Sequence, residues 1–134
     1  EAARQRGRFC NSPGHGGTRV ALAQLRAYPD IRPYYSSLPC AEVYERALRI
    51  AGGLGWRILA GDPRAGRIEA VDITPVLRFR DDVVIRVRAE RASCRVDIRS
   101  ASRLGRGDLG VNAARIRRFL RACERELQPS PGVL

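Results

Sequence analysis

The 134-residue chain contains no methionine and no lysine, one histidine and one tryptophan. No run of apolar residues approaches the ~20 that a membrane-spanning helix needs. Each shortage narrows the reading. Without lysine, all 25 basic residues are arginine, and with 14 acidic residues the formal charge at pH 7 is +11. Arginine scattered through strands and turns reads as compositional bias, since a dedicated nucleic-acid surface usually mixes in lysine as a compact point charge. The resulting potential still attracts anionic lipid, nucleic acid or acidic partners in a salt-dependent way. The missing methionine leads to the expectation that Glu1 is a processed or truncated start, compatible with removal of a signal or anchor. With His15 alone in a glycine-rich N-terminal segment, no nucleophile–histidine pair is expected.

Cysteine is sparse too. Cys10, Cys40, Cys94 and Cys123 form no C-x-x-C pair, which argues against a zinc site, and no metal or cofactor is expected. Cys94 and Cys123 fall on apolar faces and read as buried thiols. A Cys10–Cys40 disulfide is the pairing considered, one that forms only in an oxidising compartment.

What is present suits one domain with its own core, since 44% of the residues are hydrophobic. Residues 1–36 read as an ordered but irregular arm rich in Arg, Gly and Pro, residues 37–128 as the domain, and 129–134 as a Pro/Gly tail. Ser37 and Pro39 suggest an N-cap and first-turn proline for a helix running to about Ala51, stopped by Gly52, Gly53 and Gly55. Its apolar face is Cys40, Val43, Tyr44, Ala47, Leu48, Ile50 and Ala51; Glu42–Arg46 and Glu45–Arg49 stand opposite as i,i+4 pairs.

Strands are expected at Trp56–Ala60 and Arg67–Ile73, joined by a Gly-Asp-Pro turn, and at Val76–Phe79 after Thr74-Pro75. Two more alternate cleanly: Val83, Ile85, Val87 and Ala89, then Cys94, Val96 and Ile98. If Arg91-Ala92 is the turn, Val87 faces Val96, Ile85 faces Ile98 and Arg86 faces Asp97. A last helix from about Val111 to before Pro129 packs through Ile116, Phe119, Leu120, Cys123 and Leu127, with Arg115, Arg117, Arg118, Arg121 and Arg125 as a basic outer surface. The fold class expected is α+β: about five antiparallel strands packed with two main helices, a helix-grip arrangement being one assembly by analogy.

The same register brings Asp82 opposite Ala101 and Asp81 opposite Ser102. Strand parity points Asp81 inward, which demands a partner, and pairing with Arg103 or Arg99 near a bulge is the expectation. The candidate ligand-binding residues are therefore Asp81, Asp82, Arg99, Ser102, Arg103 and Asp108. Gly105, Gly107 and Gly110 spell G-x-G-x-x-G, but no parallel strand with an acidic residue follows, so a dinucleotide reading is set aside. A looser anion site using Arg103, Arg106 and backbone amides is the alternative there. These glycines are read as shaping a strand-to-helix turn, and Asn112 as either the N-cap or an inward amide. The competing account makes the whole cluster structural, its Asp and Arg residues bracing strand ends.

Phe79-Arg80-Asp81-Asp82-Val83, Arg99-Ser100-Ala101-Ser102-Arg103-Leu104-Gly105, Asp108-Leu109-Gly110, and Asn112 with Arg115-Ile116 together resemble the domain of unknown function 1499 family over about Tyr28 to Cys123. The resemblance implies a soluble domain of the kind often tethered behind hydrophobic N-terminal segments in bacteria, or exported in plastids, with no established activity. Many members carry a segment like Pro-Asn-Cys-Val-Ser, from which Cys10-Asn11-Ser12-Pro13-Gly14 departs. On these grounds the chain is expected to be a non-catalytic binding or accessory module in the cell envelope or at a membrane, taking anionic lipid or an apolar small molecule. A cytoplasmic location, a nucleic-acid-binding module using the arginine-rich last helix and an unrecognised enzyme using Asp81 or Asp82 as acid or base are the alternatives.

Overall fold

Alternation of small β-branched residues with charged ones dominates the centre of the chain, and it builds the centre of the sheet. The computed structural model describes residues 28–76, 78–103 and 109–129. Its elements in chain order are β1 (Tyr34–Ser36), α1 (Cys40–Gly53), β2 (Arg57–Asp62), β3 (Arg67–Ile73), β4 (Arg80–Glu90), β5 (Ser93–Ser102) and α2 (Leu109–Glu126). The sheet is antiparallel throughout, in the order β1-β5-β4-β3-β2. The fold is α+β, as expected.

The β4–β5 hairpin turns at Arg91-Ala92, Arg91 having φ 57°, and pairs Val87 with Val96, Ile85 with Ile98, Arg86 with Asp97 and Asp81 with Ser102. On β3, Ile68 faces Ile85 and Ala70 faces Val83, so the apolar rows run across three strands. Against them pack Val43, Tyr44, Ala47, Ile50 and Ala51 of α1 and Ala113, Ile116, Phe119, Ala122, Cys123 and Leu127 of α2 in one core. Trp56 stacks on Phe119 with ring centroids 5.8 Å apart. At the β2–β3 turn Gly66 has φ +66°, and a Cβ there would stand 1.8 Å from the Val87 carbonyl oxygen, so only glycine fits.

Five strands were expected and five exist, but one is exchanged. The expected strand Val76–Phe79 is not one: Val76, Arg78 and Phe79 lie in the connection between β3 and β4, and Leu77 lies outside the described residues. The bonds across this connection are local: Thr74 N donates to Phe79 O at 2.9 Å, Phe79 N donates to Thr74 Oγ1 at 2.8 Å, and Arg78 adopts φ 53°. Proline at position 75 lacks the N–H a strand would use. The replacement strand is β1, at the end of the segment read as irregular. The three residues of the strand are too short a stretch for period-two alternation to register, and β5 supplies its pairing, through Tyr34–Val96 and Ser36–Cys94, while Ser36 Oγ donates to Leu127 O at 2.7 Å.

Helix α1 begins at Cys40 behind Pro39 and has no side-chain cap; Ser36 Oγ, not Ser37, accepts the Leu38 N–H at 3.1 Å. Of the two expected i,i+4 pairs, Glu42–Arg46 forms at 2.6 Å, and Arg46 also donates to Glu126 O at the end of α2. Cys40 is disulfide-bonded to Cys94, not to Cys10, so Cys94 is buried as expected but is not a thiol. Cys123 alone is a buried free thiol among the described residues, its ionisation pushed up to about 12 chiefly by burial. Cys10, His15 and the rest of residues 1–27 lie outside the described residues, as do 130–134 of the tail.

The Cys40–Cys94 bond closes a sequence separation of 54 between the first residue of α1 and β5. Replacing both cysteines with serine is expected to lower unfolding free energy by about 2–4 kcal/mol. Urea denaturation followed by circular dichroism checks this, and a midpoint equal to that of the parent protein would contradict it.

Candidate functional site

Beyond the apolar rows, the inward face of the sheet turns polar at one end. Asp72 on β3 stands directly opposite Asp81 on β4, which stands opposite Ser102 on β5; one row inward, Val83 stands opposite Ser100. Two carboxylates in register on the buried side of adjacent strands would repel and resist desolvation unless a cation stood between them. That cation is Arg115, from the second turn of α2. Its Nε donates to Asp72 Oδ2 at 2.8 Å and its Nη2 to Asp81 Oδ2 at 2.6 Å. Its Nη1 donates to Asn112 Oδ1 at 2.7 Å and to Ser100 Oγ at 3.0 Å. Ser100 Oγ in turn donates to Asn112 Oδ1 at 2.7 Å, and Asn112 Nδ2 reaches Ser102 Oγ at 3.4 Å.

The burial is deep. Arg115 is 1% exposed, Asp81 4%, Ser100 3% and Asn112 4%. A charge so placed is tolerated only when its donors are matched, and all three nitrogens of this guanidinium are. Two carboxylates against one guanidinium leave an excess negative charge, but the Asp72 side chain is 21% exposed and is partly solvated.

The candidate residues divide between the two faces of the sheet. Asp81 and Ser102 join the buried cluster. Asp82 is on the outer face, held by Arg103 through Nε at 2.9 Å and 3.0 Å to its two oxygens and Nη2 at 2.8 Å. Arg103 is therefore not the partner of Asp81, and neither is the exposed Arg99, which forms no ion pair with a described residue. Nor is there a bulge at Asp81: β4 keeps register with both neighbours through that position, and the irregularity lies in β2 between Ile58 and Ala60. Asn112 is the inward amide. Gly110 lies in the first turn of α2; Gly105, Arg106, Gly107 and Asp108 lie outside the described residues.

The largest correction concerns Arg115, expected on the basic outer surface. It sits four residues before Phe119 and three after Asn112, about 40° and 60° from them around the helix, so it belongs to the inward arc. That spacing was the available signal, and the formal charge overrode it. Asp72 was missed as well: it continues the inward parity of Ile68 and Ala70, a parity that the reading of Arg67–Ile73 as a strand left unassigned. Arg117 is also engaged, pairing with Asp30 at 2.7 Å and lying 5.0 Å over the Tyr28 ring. Its hydrogen bond is the main cause holding the Asp30 carboxyl below its usual value. Arg118, Arg121 and Arg125 remain as the exposed part of that surface.

Asp81, the candidate acid or base, is committed to a buried guanidinium, and the hydroxyls of the set, Ser100 and Ser102, are bonded to Asn112 and Arg115 and not to a histidine or a carboxylate among the described residues. Among the described residues no group of three or more His, Cys, Asp or Glu side chains is placed to hold a metal ion. A family model described as Protein of unknown function (DUF1499) matches residues 12–123. The chain belongs to this family. No curated protein matches it. The DUF1499 match spans every member of the buried cluster, from Asp72 to Arg115.

For this DUF1499 domain, Asp81→Asn is expected to lower unfolding free energy by about 3 kcal/mol, since the buried guanidinium keeps only Asp72 as counter-charge. Equilibrium urea unfolding is the check, and stability unchanged by the substitution would contradict a bracing role.

Proposed function

We propose that the domain is a non-catalytic accessory module that works against an anionic membrane surface in the cell envelope. The observation that carries this reading is the outer face of the sheet. On that face Arg57, Arg80, Arg86 and Arg99 are exposed and form no ion pair with any described residue. Two arginine pairs stand directly across from one another, Arg67 with Arg86 and Arg88 with Arg95. Like charges in that position are unfavourable by themselves. Arg67 is offset by Glu69 at 3.0 Å and Arg95 by Asp97 at 2.9 Å, while Arg86 stands opposite Asp97 in the ladder but forms no ion pair with a described residue. An array of this kind is stabilised by an opposing layer of phosphate.

The Cys40–Cys94 disulfide supports an oxidising compartment, hence the envelope side of a membrane over the cytoplasm. The interior favours adhesion over encapsulation of an apolar ligand, because the space between sheet and helices holds Val43, Ala47, Ile68, Ile85, Val96, Ile116 and Phe119 at 1% exposure or less. No helix among the described residues is long and apolar enough to cross a membrane, so the contact envisaged is peripheral.

Vesicle co-sedimentation tests this. The protein is expected to bind vesicles containing phosphatidylglycerol, to ignore pure phosphatidylcholine, and to detach as salt is raised. Arg86→Ala with Arg99→Ala should weaken binding about tenfold or more, at about 1 kcal/mol per guanidinium. Indifference to lipid charge, or tighter binding to DNA or RNA at matched phosphate concentration, would overturn it.

A further inference from the structure

We infer that Val76 and Phe79, in the connection between β3 and β4, mark the point at which the domain enters the bilayer interface, these two side chains immersed at headgroup depth and the flanking arginines on lipid phosphate. This rests on the membrane reading above and goes beyond it by naming one end of the molecule over the broad sheet face.

The exposed large apolar residues are not evenly spread. Of the five among the described residues, Val76 is 88% exposed, Phe79 44% and Val111 45%, and these three lie at one end of the domain, while Tyr35 at 51% and Ile58 at 37% lie on the edge strands β1 and β2. That end is defined by the ladder: Ile73 faces Arg80, Asp81 faces Ser102, and Arg103 N donates to Arg80 O at 3.2 Å. The β3–β4 turn, the exit of β5 and the first turn of α2 therefore converge there. Arg78 and Arg80 alternate with the turn's apolar residues in sequence, and Arg57, opposite Val71, opens the neighbouring β2 at the same end.

The carboxylates that β3 and β4 bring to this end are engaged. Asp72 and Asp81 are turned inward onto Arg115, and Asp82 is held by Arg103. The described surface here thus combines apolar tips with cations and has no uncommitted carboxylate from β3 or β4 to repel phosphate.

Shape selects the bilayer over a protein partner. Val76 is 88% exposed, and with Phe79 and Val111 it makes only a small apolar knob where a stable protein interface needs a complementary patch of about 800 Å² per partner. A fluid interface accommodates such a knob, burying side chains by roughly 5–10 Å while arginine stems extend to the phosphates. Arg78 N donates to Thr74 O at 3.0 Å and Phe79 N to Thr74 Oγ1 at 2.8 Å, which ties these two residues back to the end of β3.

The test attaches an environment-sensitive fluorophore to Val76→Cys, and separately to Ala92→Cys at the opposite end, in a Cys10→Ser background with the disulfide intact. With phosphatidylglycerol vesicles, the label at position 76 is expected to shift to the blue and to be quenched by nitroxide-bearing acyl chains, while the label at 92 stays aqueous. Val76→Asp should reduce vesicle affinity about tenfold or more with an unchanged urea midpoint. If the parent protein binds vesicles but the label at 76 reports water, this inference falls and the broader reading stands. If the parent protein binds no vesicles, both fall.

Discussion

One guanidinium, that of Arg115, sets the terms for the rest of this fold. It stands between two carboxylates that face each other across β3 and β4, and it draws Ser100 and Asn112 into the same bonded set. Because the sheet's inward rows change from apolar to polar toward that end, α2 has one seating that satisfies both. In it Phe119, Cys123 and Leu127 lie in the apolar core and Arg115 lies over the acidic row. A helix displaced by one turn would bury a charge against valine or isoleucine and strand two carboxylates, at a cost of several kcal/mol. The polar cluster therefore acts as a register pin between helix and sheet.

That role separates the charged residues of the chain into two populations. Inward carboxylates are consumed by the brace, and Asp82 is consumed by Arg103 at the sheet end. What remains on the outer face is weighted toward arginine. The surface charge and the buried cluster thus have a common structural origin: the fold uses acidic side chains to fix itself and leaves cations facing outward. The exposed apolar residues between β3 and β4 sit beside the pin, so the end of the sheet that Arg115 fixes is also the end that carries Val76 and Phe79.

Much of the fold was legible because it follows from short-range periodicity. The β4–β5 register was readable from alternation and a two-residue turn, and it correctly placed Asp81 opposite Ser102. The approach of Asp81 and Asp82 to the end of β5 was legible for the same reason. The identity of the partner was not. Arg103 and Arg99 are near in the ladder, but parity sends Arg99 to the opposite face of the sheet from Asp81, and Arg103 follows Asp82. The true partner comes from a different layer, 34 residues along, and only the helical angle from Phe119 pointed to it. β1 was illegible because its pairing is supplied by β5, and the Cys40–Cys94 bond because proximity across layers leaves no spacing pattern.

The central claim is that Arg115 and Asp81 are coupled as a structural pair, and a double-mutant cycle in unfolding free energy measures that coupling directly. Arg115→Met and Asp81→Ala should each destabilise strongly, by about 3–5 kcal/mol, because each strands the opposite charge. The double variant should lose at least about 1.5 kcal/mol less than the sum of the two. Losses that add to within about 0.5 kcal/mol would mean the two side chains do not hold helix and sheet together, and would contradict the account.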